Sequence, residues 1–129
     1  MIRAALLLLL ATAAPAAAQT AEEVLAEAKA DCASFDNGTF TAPAEAVTEL
    51  ELTGAPPAEI LIDTGKFQCS SMADLWGGTG GSILTLLAGG QRSDHLALGW
   101  KVVDWDRPVL LLSLHGGECG AAGSDPCIE

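Results

Sequence analysis

Apolar residues keep three different rhythms along this chain. Residues 4–14 form an apolar run, crossed only by Thr12, with five leucines in a row. From Thr20 the rhythm becomes helical: Val24, Leu25, Ala28, Cys32 and Phe35 recur at helical intervals. Thr20 is followed three residues later by Glu23, the spacing of a capping box. Together these predict a helix over 21–34 with Cys32 near its end and facing the core. From residue 46 the period falls to two. Thr48, Leu50 and Leu52 alternate with Glu49 and Glu51 over 46–53, as in a half-exposed strand. Residues 59–63 read as its hairpin partner beyond the Gly-Ala-Pro-Pro turn at 54–57. Phe67 and Cys69 continue extended after a turn at Thr64-Gly65. Further strands are expected at 83–87, 92–98, 100–105 and 108–114, with Gly89-Gly90 as a tight turn. The Gly-Gly-Thr-Gly-Gly stretch at 77–81 reads as a flexible loop. Residues 109–112 are apolar without alternation, so their strand is expected to be central and covered on both faces. The sum is an α+β domain: an N-terminal helix packed on a mainly antiparallel sheet of five to seven strands.

The first rhythm changes the compartment. Met1-Ile2-Arg3, the apolar run, Pro15 and the small residues Ala16-Ala17-Ala18 have the form of a secretory signal peptide over residues 1–18. The run is shorter than the roughly 20 residues a membrane span needs. Export to a bacterial periplasm or beyond is therefore expected, with no membrane association after cleavage. Removing 18 residues from 129 leaves 111, one domain over 19–129. An even number of cysteines in a small exported domain reads as two disulfides. Three pairings of Cys32, Cys69, Cys119 and Cys127 exist. The preferred pairing is Cys119–Cys127 as a local clip and Cys32–Cys69 as the long staple. A metal site of His115, Cys119 and Cys127 is the rival, but it lacks a paired C-x-x-C. No strand is visible after Cys127, which leaves a missing C-terminal strand as one expectation.

Charge narrows the partners. Arg3 leaves with the leader, so five Lys and Arg face seventeen Asp and Glu, a net charge of −12 against −11 for the whole chain. That field repels phosphate backbones and anionic membranes. It admits a basic envelope or extracellular protein as partner, although acidity also serves solubility alone.

Motifs for chemistry are sparse, and no cofactor is indicated. The glycine stretch lacks the Gly-Lys-Ser/Thr ending of a phosphate loop. Ser113 and His115 lie two apart and share a strand face, so they form a candidate nucleophile–base pair with Asp104 or Asp94 as the acid. Asp94 and His95 are strand neighbours and point to opposite faces. Trp100 and Trp105 have opposite parity; core packing accounts for one or both, and an exposed Trp105 between Asp104 and Asp106 could stack on a sugar or partner. The acidic turn offers Glu51, Thr53 and Glu59 as oxygen ligands, yet position five is Ala55 and position six Pro56 where a calcium loop needs a ligand and a glycine.

Several stretches carry a resemblance. Residues 46–54 (Ala-Val-Thr-Glu-Leu-Glu-Leu-Thr-Gly), Phe67-Gln68-Cys69-Ser70-Ser71, Gly78-Thr79-Gly80-Gly81, the Gly-Trp-Lys-Val-Val-Asp-Trp of 99–105 and the Leu-Ser-Leu-His-Gly-Gly-Glu-Cys of 112–119 follow one another. In this order the chain resembles a family of small exported, uncharacterised proteins of alphaproteobacteria. That family implies no catalytic residues. Its members commonly carry Cys-Gly-Thr-Gly-Gly-Cys where this chain has Gly77 and Ser82 at the ends, so a disulfide is expected to have been lost as a unit. They also carry a calcium-like Asp-rich turn, of which Glu51, Thr53 and Glu59 survive here. Three readings follow. The first is a non-catalytic binding or inhibitor-like module, comparable with periplasmic lysozyme inhibitors in size, compartment and charge only. The second is a hydrolase using Ser113 and His115. The third is a calcium-stabilised module with a degenerate loop at 51–59.

Overall fold

A computed structural model of the chain describes residues 18–120 and 126–128. The signal-peptide reading falls on residues outside these, apart from Ala18. Helix α1 spans Ala21–Ser34. The Thr20 hydroxyl accepts from the Glu23 N–H and the Glu23 carboxylate accepts from the Thr20 N–H, so the capping box is complete. The helix buries Val24, Ala28 and Cys32, one stripe at intervals of four. It ends at Phe35, and the left-handed pair Asp36 and Asn37 turns the chain away.

Among the described residues ten strands follow: β1 (Phe40–Thr41), β2 (Val47–Leu50), β3 (Glu59–Asp63), β4 (Gln68–Cys69), β5 (Gly77–Gly78), β6 (Gly81–Ala88), β7 (Gln91–Ala97), β8 (Gly99–Asp104), β9 (Pro108–Leu114) and β10 (Cys127–Ile128). All pair antiparallel, but in three sheets rather than one. The largest is built on β6. β7 pairs along one whole edge of it, while β3 and β5 share the other and β2 lies outside β3. The second sheet has the order β10-β9-β8, and β1 pairs β4 in a third.

The large sheet is covered on both faces. Ile60, Ile62 and Leu87 meet Val24 and Ala28 of the helix. Leu61, Leu84 and Leu86 on the opposite face meet Leu110, Leu112 and Leu114 of β9. Each fully buried aliphatic side chain in these layers contributes about 1.5–3 kcal/mol. The doubly covered strands are therefore β3 and β6. β9, expected in that role, buries Leu112 and Leu114 on one face and leaves Val109 and Leu111 half-exposed on the other. The glycine stretch also differs from expectation. Gly77 pairs Ser82 and Gly78 pairs Gly81, which makes it a hairpin with Thr79-Gly80 at its tip. Gly81 has φ +109°, and a Cβ there would overlap the Ala97 carbonyl. Gly89 and Gly90, both at positive φ, form the two-residue turn between β6 and β7.

Both disulfides take the preferred pairing, Cys32–Cys69 and Cys119–Cys127. The first ties the end of α1 to β4. The second brings β10 beside β9, where Cys127 pairs Leu114, so a short strand does form at Cys127.

Candidate functional site

One end of the sandwich presents an exposed aromatic residue, flanking acids and a cleft. There the connection from β2 to β3 lies beside the tip of the β8–β9 hairpin. Glu59 opens β3 opposite Leu50 and is only 4% exposed. Its carboxylate accepts from the Thr53 hydroxyl at 2.6 Å and from the Leu52 N–H at 2.9 Å. Thr53 Oγ1 in turn accepts from the Ala55 N–H at 3.3 Å. The Thr53 hydroxyl first, and the Leu52 N–H second, hold the Glu59 carboxyl below the usual carboxylate range, against the upward effect of burial. The loop is thereby pinned from inside.

Across a cleft of about 660 Å³ from residues 51–54 lie residues 107–110. The β8–β9 ladder closes at the Asp104–Pro108 pair, and the Trp105 N–H donates to the Arg107 carbonyl across the tip. Trp105 is 72% exposed, the largest apolar side chain presented to solvent among the described residues. Asp104 and Asp106 flank it, and both are exposed. The other two tryptophans are packed. Trp76 meets Phe40 and Phe67 edge-on at 5.5 Å. Trp100 joins the core between the sheets, and its indole N–H donates to Asp63 at 3.3 Å.

The sequence-predicted catalytic residues do not gather. Ser113 pairs Gly99, whereas Asp104 lies five pairs further along β8, roughly 17 Å away at the rise of an antiparallel strand. His115 Nδ1 accepts from the Gly117 N–H at 3.3 Å and caps the turn Gly116–Cys119. Asp94 is held on the helix side, where its carboxylate accepts from buried Thr85 at 2.6 Å and from Arg92 at 3.0 Å. His95, on the other side of β7, bonds Ser93 instead. Of the calcium candidates, Thr53 and Glu59 are bonded to each other, and Glu51 stands exposed at the cleft. Among the described residues no three His, Cys, Asp or Glu side chains group to hold a metal ion. The rival metal set of His115, Cys119 and Cys127 has both thiols in a disulfide.

A polar corner on the opposite side was not anticipated. Arg92 bridges Glu27 of α1 at 2.8 Å and Asp94 of β7 at 3.0 Å. The hydrogen bonds that Arg92 donates to Asp94, and then to Glu27, raise its pKa further. Burial would push the Asp94 carboxyl up, but the Thr85 hydroxyl and Arg92 together outweigh it and hold it low. Gln19 completes the corner: its Nε2 donates to Glu27 at 2.7 Å, and its Oε1 accepts from Arg92 at 3.4 Å. The one sequence signal was Arg92 and Asp94 two apart on a strand and so on one face.

Compared with family models, curated proteins and solved structures, the chain finds no match.

Proposed function

We propose that the chain is an exported, non-catalytic binding domain that engages a basic protein through the β8–β9 tip. The observation that carries this reading is Trp105, 72% exposed on a hairpin tip between two aspartates. Tryptophan is among the residues that dominate interface energies, and this one is presented at a hairpin tip beside a cleft. The neighbouring loop is pinned by Glu59, so little entropy is lost when a partner closes on the cleft. The acidic surroundings favour a cationic partner and speed its encounter. The two disulfides suit an oxidising compartment. The alphaproteobacterial family resemblance and the periplasmic or secreted location belong to the same proposal.

Binding of the mature domain to basic envelope proteins, with a basic lysozyme as first probe, tests it by biolayer interferometry. The wild-type domain should bind, and Trp105→Ala should weaken the complex about 30-fold, the loss expected for a hot spot worth about 2 kcal/mol. Asp104→Asn with Asp106→Asn should slow association and flatten its salt dependence. A partner held equally by wild type and Trp105→Ala, or no basic protein bound at all, would overturn the reading.

A further inference from the structure

We infer that Gln19 is a modification site, at which the mature N-terminus closes on itself to pyroglutamate. The inference rests on the export reading above, because cleavage after Ala18 is what leaves Gln19 with a free α-amine.

The structure places this residue in a defined setting rather than on a loose tail. Gln19 is half-buried, and Thr20 beside it is already the helix N-cap. The Ala18 side chain lies against Gly90, within 3.3 Å of where a Cβ on that glycine would sit. Cleavage removes Ala18, so the new end is the Gln19 nitrogen, one residue before the N-cap of α1. A free α-ammonium in that position stands beside the positive end of the helix dipole, which disfavours it. Converting the amine to an amide nitrogen removes the charge.

The step balances without a co-reactant. The neutral α-amine nitrogen of Gln19 attacks its own Cδ and a new N–C bond closes the lactam. The Cδ–Nε2 bond breaks, one amine proton passes to Nε2, and that nitrogen leaves as ammonia. The contacts fit both ends of the step. The atom that remains is Oε1, which accepts from Arg92 Nη1 at 3.4 Å and becomes the lactam carbonyl. The atom that leaves is Nε2, whose bond to Glu27 is an exposed one. Glu27 keeps its ion pair with Arg92 at 2.8 Å when Nε2 departs. Closure gives up the Gln19–Glu27 hydrogen bond and leaves the Arg92–Glu27 ion pair in place. Its product is an exported domain whose first residue offers no free amine to aminopeptidases.

The experiment is the intact mass of the protein exported from its full-length precursor, with N-terminal sequencing alongside. The expected mass is that of residues 19–129 less one ammonia, about 17 Da, with sequencing blocked until pyroglutamyl aminopeptidase is added. Gln19→Ala should give an open N-terminus that sequences directly. A chain that starts at Gln19 and keeps its ammonia after prolonged warm incubation at neutral pH would overturn the inference while leaving export standing. A chain that starts at any other residue would overturn the cleavage reading and the inference with it, and the two failures differ in mass.

Discussion

Removing the Cys32–Cys69 bridge should cost more than removing Cys119–Cys127, and by a margin that chain entropy sets. The first closes a separation of 37 residues and the second one of 8. The loop-closure relation then gives about 3.8 kcal/mol for the long bridge and about 2.5 kcal/mol for the short one. Burial widens the gap. Cys32 is fully buried and Cys69 nearly so, whereas Cys119 is exposed. Truncation to alanine in the buried pair therefore adds a packing loss of about 1 kcal/mol. The paired variants Cys32→Ala/Cys69→Ala and Cys119→Ala/Cys127→Ala, compared by urea unfolding of residues 19–129, measure the difference. At about 4 °C per kcal/mol for a domain of this size, the long bridge corresponds to a fall in Tm of about 15 °C or more. The slope of the urea transition should also rise when the long bridge is lost, because the unfolded chain expands. Equal costs, or a larger cost for the short bridge, would refute the reasoning. They would mean that native packing around β10, not the unfolded chain, sets the contribution of these bonds.

Other perturbations read other parts of the fold. Glu59→Gln should destabilise the domain near neutral pH. Because the folded pKa of Glu59 is lowered, its stabilisation is complete above the ordinary glutamate pKa of about 4.3 and disappears as pH falls through the folded value; a difference in Tm between wild type and variant that grows on acidification would contradict this. Gly81→Ala should cost about 3 kcal/mol, since it combines a strained φ with a clash against Ala97, while Gly78→Ala, with open space around it, should leave the urea midpoint nearly unchanged. Arg92→Ala should cost about 1 kcal/mol, the upper range for an exposed pair, and its effect should shrink in high salt; a salt-independent loss would point to packing of the arginine stem instead.

The elements that sequence alone located are those whose signals are local. The helix begins and ends where Thr20, Glu23 and the Asp36-Asn37 turn say it should, because capping is decided within one turn. The β2–β3, β6–β7 and β8–β9 hairpins follow from turn residues a few positions apart. The grouping of strands into sheets was not legible, because it depends on which distant surfaces meet. Residues 109–112 look like a doubly covered strand, yet one face of β9 stays half-open. Of the two doubly covered strands, β3 carries acids at both ends, which conceal it. Glu59 is satisfied by Leu52 and Thr53, and Asp63 accepts the indole of Trp100.

The same dependence on register separates what could be read of the site from what could not. Glu51, Thr53 and Glu59 are spaced like part of a cation loop, and spacing alone cannot say where each oxygen points. Once β2 and β3 pair with Leu50 opposite Glu59, the Glu59 carboxylate faces the backbone of its own connection. A carboxylate there is anchored by neutral donors and needs no metal to offset its burial. Trp105 illustrates the converse. Strand parity could place it opposite Trp100, but the strand stops at Asp104 and the tip turns before a core can claim the ring. What leaves the indole in solvent is thus the shortness of β8, and that end point is set by the Asp104–Pro108 pair: proline carries no N–H to extend the ladder, and the Trp105 N–H is already used within the turn. A hairpin that stops there is committed to presenting its tryptophan outward.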